Sequence, residues 1–377
     1  MSAPPALNIP PSPSTVTVSI IDTTITVPFP ASLVLHPIIN SITQLTANAY
    51  CFLITHFPSN QTILFDLGAR KDFDSNAPAL VQRLRAFGIN PTIEKDVPEI
   101  LEEGGMDLKD VNAVIWSHHH WDHTGDMSKF PSTTELVVGP GTSTMWPGYP
   151  ANPESLLLES DYKGRPTREI TFDHSPTGLK IGRFPAFDYF GDGSFYLLDA
   201  PGHAIGHMCA LARTTSTPQT FIFMGGDTCR HMGELRPSPY FPLPATLSPS
   251  PLSPTKTAYT TSCPSSLFLS LHPSSSATAP FYTLALDSKG KSLVCVDVND
   301  AEHTLESARE VDAGEEVLVV MAHDASLRGV VECWPQTANG WLESGWGVEG
   351  RWRFLGDFVG EKEGEKGGVE AGEEARL

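Results

Sequence analysis

The sequence predicts an α/β protein folded as one domain with an insertion. Three observations carry that expectation. Short apolar runs rich in β-branched residues recur along the chain, such as Val111 to Trp116, Phe221 to Met224 and Val317 to Met321, and read as buried strands. Segments with helical spacing stand among them, notably Pro78 to Phe87 and Glu302 to Val311. Several of the apolar runs lead directly into histidine or aspartate, so strand ends carry the chemistry-bearing residues. At 377 residues, 40% of them hydrophobic, the chain is long for one domain but suits an α/β enzyme with insertions.

Taken in order, residues 1–14 are rich in Pro and Ser and read as a disordered tail. Val16 to Val27 alternates as a strand does. Ala49 to His56 and Thr62 to Asp66 read as two strands around a turn at Pro58 to Gln61. The helix expected over Pro78 to Phe87 has Pro at its start, Leu80, Val81, Leu84 and Phe87 on one face, and Gly88 after it; a second short helix is expected over Val97 to Glu103, stopped by Gly104 and Gly105. Thr142 to Pro166 is a long irregular stretch whose aromatics, Trp146 and Tyr149 among them, favour a functional loop. Strands resume at Arg168 to Phe172, Leu179 to Phe190, Ser194 to Leu198, Met208 to Arg213 and Thr220 to Met224.

Residues 236–280, dense in Pro, Ser and Thr, read as an insertion into the domain spanning 15–360, with Tyr240, Phe241 and Leu243 expected over the site. The aromatic end from Trp334 to Phe358 reads as packing against the domain flank, and residues 361–377, rich in Gly and Glu, as a solvated, disordered tail. The net charge of −19 argues against nucleic acid as a partner. The first residues lack the basic and apolar regions of a secretory signal, and no apolar stretch approaches the ~18 residues of a membrane span. The six cysteines are scattered and form no Cys-x-x-Cys pair, which fits reduced thiols in the cytoplasm.

The densest chemistry lies at Ser117 to Asp126, SHHHWDHTGD, directly after an apolar strand. His118, His120, Asp122 and His123 place four metal-competent side chains within six residues. In an extended chain His118 and His120 point to the same side and can grip one ion. Asp122 and His123 are neighbours and would diverge, so they suit a turn and a second ion. Imidazole and carboxylate together are ligands for a borderline divalent metal such as zinc.

This motif resembles the signature of the metallo-β-lactamase superfamily, and the chain supplies matches to the rest of that pattern in order. PGHAIGH contains His203, FIFMGGD ends in Asp227, VLVVMAHD contains His323, and FDLG places Asp66 as a residue behind the ligands. The resemblance runs from about Tyr50 to Asp324. It implies an αββα sandwich with metals at one edge of two sheets. It also implies a dinuclear centre, with His118, His120 and His203 on one ion, Asp122, His123 and His323 on the other, and Asp227 bridging. Two zinc ions are the default, with Mn, Fe and Co open alternatives. The implied reaction is hydrolysis of an ester, thioester, lactone or amide by a metal-bridging hydroxide, with Asp122 carrying a proton to the leaving group.

Further residues are weighed on position. His119 alternates away from its neighbours and is expected to face out. His207, four residues after His203, suits support of the turn. Quorum-quenching lactonases often carry a Tyr just after the bridging Asp; here Thr228, Cys229, Arg230 and His231 follow, which leaves Arg230 or His231 as substrate contacts. Cys229 reads as a packing residue. Trp121 is a candidate lining of the mouth. Exported β-lactamases, glyoxalase II and flavodiiron proteins each require features this chain lacks. The lactonase-like group fits best, with thioesterases and lactam-opening enzymes of the same fold as alternatives. An iron-dependent persulfide dioxygenase is the redox alternative, disfavoured by the complete second ligand set. A small molecule, apolar or aromatic, is the expected partner.

Overall fold

The computed structural model describes residues 3–39, 42–253 and 261–359. Two six-stranded sheets form its centre. In spatial order the first runs Thr17–Asp22, Tyr50–His56, Gln61–Phe65, Ala113–Ile115, Glu135–Val138 and Thr167–Glu169. Its first three strands pair antiparallel and the remainder parallel. The second runs Lys180–Ile181, Phe184–Asp188, Phe195–Asp199, Met208–Ser216, Gln219–Met224 and Val317–Val320, antiparallel except for its last pair.

The period-two alternation of these strands generates the layers. Phe52 and Ile54 face inward to meet Phe195, Leu197, Ala210, Ile222 and Val320 between the sheets. The intervening Cys51 and Leu53 face outward, onto Val97 and Leu101 of the helix Val97–Glu103. On the other side Tyr196, Leu198, Leu211, Phe221 and Phe223 face outward onto Leu305, Ala308 and Val311 of the helix Val298–Asp312. The strands therefore read as near-continuous apolar runs, because both faces are covered. The result is the expected αββα sandwich.

Local chemistry corrects some boundaries. The single alternating run expected over Val16 to Val27 is two strands, Thr17–Asp22 in the first sheet and Ile25–Pro30 in a small three-stranded sheet. Asp22 Oδ1 accepts a bond from the Thr24 backbone N–H at 3.1 Å, and Thr24 has a φ of 56°, so the chain turns there. The late helix begins earlier than expected, at Val298, because Asp297 caps it through the Asp300 N–H.

Residues 3–14 contain neither helix nor strand, yet they are anchored rather than loose. The Leu7 carbonyl accepts from Gly182 N–H at 2.7 Å, and the Pro10 carbonyl accepts from Arg213 Nη2 at 2.6 Å. Among described residues, 236–280 adds nothing to the two main sheets; it supplies the short pair Thr246–Leu247 and Cys263–Pro264. The expectation that Tyr240, Phe241 and Leu243 cover the site is corrected. Phe241 stacks on Trp352, Tyr240 joins it around a surface cavity with Pro4 and Pro5, and Leu243 is buried in the outer layer. Trp341 and Trp346 pack between the sheets. The Gly/Glu-rich tail over 361–377 lies outside the described residues.

Candidate metal centre

All seven expected ligands converge at one end of the two sheets. From the first half, the strand Ala113–Ile115 delivers the chain to Ser117 and the histidines, and a single helical turn, Trp121–Thr124, carries Asp122 and His123. From the second half, the ligands come from three separate strand ends: His203 after Phe195–Asp199, Asp227 after Gln219–Met224, and His323 after Val317–Val320. Gly226, between the strand and Asp227, takes a φ of 49°, and a Cβ there would meet His207 Nε2 at 2.9 Å.

The potential ligand atoms fall into two groups, His118, His120, His203 and Asp227, and Asp122, His123 and His323. His203 Nε2 lies 3.1 Å from His118 Nε2, 3.0 Å from His120 Nδ1 and 3.2 Å from Asp227 Oδ2. Asp227 Oδ1 lies 2.9 Å from His123 Nε2 and 3.0 Å from His323 Nε2, which is 3.7 Å from Asp122 Oδ2. One carboxylate thus turns one oxygen toward each group. Ligands about 2.0–2.1 Å from a tetrahedral ion sit about 3.3 Å apart, close to these separations.

Tautomers explain why a cation fits. Nδ1–H of His203 donates to the Val294 carbonyl at 2.7 Å, and that of His323 to the Asn48 carbonyl at 2.6 Å. Nδ1–H of His123 donates to Asp66 Oδ2 at 2.8 Å. Each Nε2 then presents a lone pair to the Asp227 carboxylate. His123 Nε2 and Asp227 Oδ1 are buried with no hydrogen-bond partner, and two acceptors this close repel unless a positive charge lies between them. Burial, reinforced by neighbouring histidines, pushes His118 and His120 well below the ordinary imidazole pKa; burial and Arg230 bring His203 to about 3. These are neutral bases, the form a metal requires. Burial disfavours charge on His123 too, but Asp227 and Asp66 outweigh it and raise its pKa, a preference a dication would satisfy in place of the proton.

Residues behind the ligands hold them in place. Asp66, at a φ of 66°, accepts from Ser117 N–H at 2.6 Å while orienting His123. His207 donates Nδ1–H to the Ala200 carbonyl at 2.7 Å, and its Nε2 accepts from the Asp227 backbone N–H at 3.0 Å. It therefore steadies the shared carboxylate from its main chain. Ser117 is fully buried beneath His118 and His123.

Two expectations are corrected. His119 is half-buried rather than outward-facing, and burial lowers its pKa to about 4. His231 does not reach the ligands' apolar chamber: its Nε2 pairs with Asp357 Oδ2 at 3.1 Å, and its ring packs on Phe354, Phe358 and Tyr282. Arg230 does line that chamber; its Nη2 donates to the Val294 carbonyl at 3.0 Å and touches His203 Nδ1. Trp121 lines it also, with its ring against Phe73. The chamber, about 250 Å³, has apolar walls that sequence reasoning missed, including Phe29, Leu80, Leu84 and Leu293. Their only signal was ordinary hydrophobicity, shared with the whole core. The carbonyls of Asn48 and Val294 carry no side-chain signal at all.

This fold and this His/Asp cluster define a metal-dependent hydrolase. Residues 46–211 match the model of the metallo-beta-lactamase superfamily. The chain is 46% identical over 361 residues to the metallo-hydrolase mfmC of Annulohypoxylon moriforme, covering 94% of this chain and 91% of that one. It is 44% identical over 364 residues to the gamma-lactamase FDB1 of Fusarium pseudograminearum, covering 94% and 86%. A solved structure of an AiiA variant from B. thuringiensis, with N-decanoyl-L-homoserine bound at its active site, matches with a TM-score of 0.55 at 16% identity, covering 86% of this chain and 99% of that one. The chain belongs to the metallo-β-lactamase superfamily.

Proposed function

We propose that this metallo-hydrolase is dinuclear and opens the ring of a lactone with an apolar body by attack at its carbonyl. The observation that carries the reading is Asp227, whose two oxygens face the two ligand groups separately. His118, His120 and His203 with Asp227 Oδ2 would hold one divalent ion, and Asp122, His123 and His323 with Oδ1 the other. Zinc is the first candidate for an all-nitrogen and oxygen set. When bound, such ions polarise a carbonyl and lower the pKa of a water from ~15.7 to ~7.

The chain's own residues supply the remainder. Asp122 reaches the apolar chamber and is placed to carry a proton to the leaving oxygen or nitrogen. Trp121, Leu80, Leu84 and Leu156 would seat the substrate body and exclude water. Arg230 would hold the Val294 carbonyl against His203 and turn its cationic edge toward the substrate. All six cysteines are free, which supports work in the reducing cytoplasm. No described helix is long and apolar enough to cross a membrane.

A γ-lactam substrate is the second reading, favoured by the name of FDB1 at 44% identity. Elemental analysis of purified protein, combined with a hydrolysis panel of γ-lactone, γ-lactam, aryl ester and thioester, tests both. Two ions per chain and ring opening are expected. One ion or none at saturating metal would end the dinuclear reading, and turnover of the thioester alone would end the ring-opening one.

A further inference from the structure

One wall of the apolar chamber is the helix Pro78–Ala86 with its cap at Phe87. Leu80, Arg83, Leu84 and Phe87 of this segment line the chamber. That spacing of three and four residues is a single helical face. Three of the four are apolar, as the core-facing stripe of an amphipathic helix should be. Arg83 interrupts the stripe.

The same face shows which way is out. Leu80 is 7% exposed, Leu84 is half-buried and Phe87 is 46% exposed. The helix therefore runs from the chamber's floor toward its rim. At 1.5 Å per residue, the step from Leu80 to Phe87 covers about 10 Å. Leu293, also on the lining, is 63% exposed, so the rim carries two large apolar residues that a ligand could cover. The buried Trp121, between the ligands His120 and Asp122, marks the inner end. A substrate with its ring at the ligands would lay its apolar body along this helix and bring its far end to Arg83.

Charge sets Arg83 apart. Its side chain is exposed and has no hydrogen-bond or ion-pair partner among the described residues. The cations on either side of it in the sequence, Arg70, Lys71, Arg85 and Lys95, each pair with a carboxylate. A free guanidinium stands out in a chain with 44 acidic residues against 25 basic ones. The negative end of the helix is already met by Arg85 in the same turn. Arg230, the chamber's other guanidinium, is 7% exposed and donates to the Val294 carbonyl. Arg83 is thus a planar, permanently charged fork left open beside an apolar surface, a natural receptor for a carboxylate.

We propose that Arg83 is a specificity-determining residue that receives an anionic group at the far end of the substrate's apolar body. The substrate class is then a lactone acid, with a ring at one end, an apolar chain or frame of about 10 Å, and a carboxylate at the other. The proposal rests on the ring-opening reading above and narrows it. Bond cleavage makes no use of Arg83, so its contribution is to binding, equal in the ground and transition states.

The probes are a γ-lactone whose side chain of that length ends in a carboxylate, its methyl ester, and an analogue ending in an ammonium. On the metal-loaded wild type, KM for the acid should lie about tenfold below that for the ester, the scale of one charge-assisted hydrogen bond. The gap should narrow as salt is raised. Arg83→Ala should raise KM for the acid by about tenfold at unchanged kcat and leave the ester unaffected. Arg83→Lys should recover part of the difference, and Arg83→Glu should turn the preference to the ammonium. The site is exposed and Ala is the best helix former, so the fold should hold. Equal KM for acid and ester in the wild type, or an Arg83→Ala change that moves both alike, would overturn the proposal. A wild type that opens none of the three lactones would end the ring-opening reading alone. Calorimetric binding of the intact acid and ester to wild type and Arg83→Ala then decides the role of Arg83, with the same tenfold difference expected and its absence overturning the assignment.

Discussion

The two halves of the molecule build the same centre by opposite means. The first half supplies His118, His120, Asp122 and His123 from one loop of six residues, fixed beneath by the charged side chain of Asp66. The second half supplies His203, Asp227 and His323 from three strand ends more than a hundred residues of chain apart in all. Those are held mainly through the main chain: the Asn48 carbonyl, the Val294 carbonyl that Arg230 also grips, and His207 on the Asp227 N–H. The local half is a preformed clip whose geometry depends on one turn. The dispersed half depends on the register of the whole second sheet. The first should therefore tolerate distant changes, and the second should report them.

Asp227→Ala strikes where the halves meet and should be the largest effect. It removes the one carboxylate facing both groups, so metal content by elemental analysis should fall at both sites. Hydrolysis should drop by more than about 10⁴-fold, since nucleophile and electrophile go together. Retention of one tightly held ion with substantial activity would show that the first half suffices alone.

Asp122→Asn comes next. The side chain lines the apolar chamber, 3.7 Å from His323, where the proposed reading gives it both ligation and proton delivery. Turnover should fall by about 10²–10⁴-fold, the usual scale of general acid–base help. The loss should be greatest for an alkoxide or amine leaving group and smallest for an activated aryl ester or thioester. An equal fall across leaving groups, with metals retained, would reduce Asp122 to a ligand. A trapped acyl-enzyme would contradict direct attack by water.

The supports give the cleanest contrast between the halves. Asp66→Ala and His207→Ala should each cost about 10–100-fold in metal affinity or activity. Asp66→Ala frees His123 and the Ser117 main chain, so it should weaken the group containing Asp122, His123 and His323 first. His207→Ala leaves the Asp227 N–H without its acceptor and should loosen both groups together. Metal titrations with two resolved steps would read the difference.

Legibility in the sequence follows the same division. The clip was legible because its ligands are adjacent, and two-residue spacing after an apolar strand has a direct geometric meaning. The dispersed ligands were legible only as a pattern, each a His or Asp closing an apolar run. His207 could be placed near the turn, but its bond to the Asp227 main chain needed the register of Met208–Ser216 against Gln219–Met224. Proximity to Asp227 in sequence does not put His231 beside Arg230 in the apolar chamber; it lines the neighbouring cavity instead. Its direction is decided by Asp357 and the aromatic end of the chain, more than a hundred residues away. The chamber walls were illegible, because a lining Leu and a core Leu are the same letter.

Cys229 is the smallest predicted effect and the control on that lesson. It stands two residues after Asp227, with only Thr228 between them. In space it is 1% exposed and packed among Met232, Leu235 and the outer-layer residues of the second sheet. Burial, with Glu234 and Asp324 adding to it, raises its thiol well above the ordinary pKa, which disfavours the thiolate that nucleophilic attack or metal ligation needs. Cys229→Ala should leave kcat and metal content at wild-type values and cost about 1 kcal/mol for the small void it leaves. For a chain of this length that corresponds to roughly 1–2 °C in a thermal unfolding midpoint. A larger loss of activity than of stability would place the thiol in the chemistry. It would also mean that the dispersed half, like the clip, spends consecutive residues on the metals.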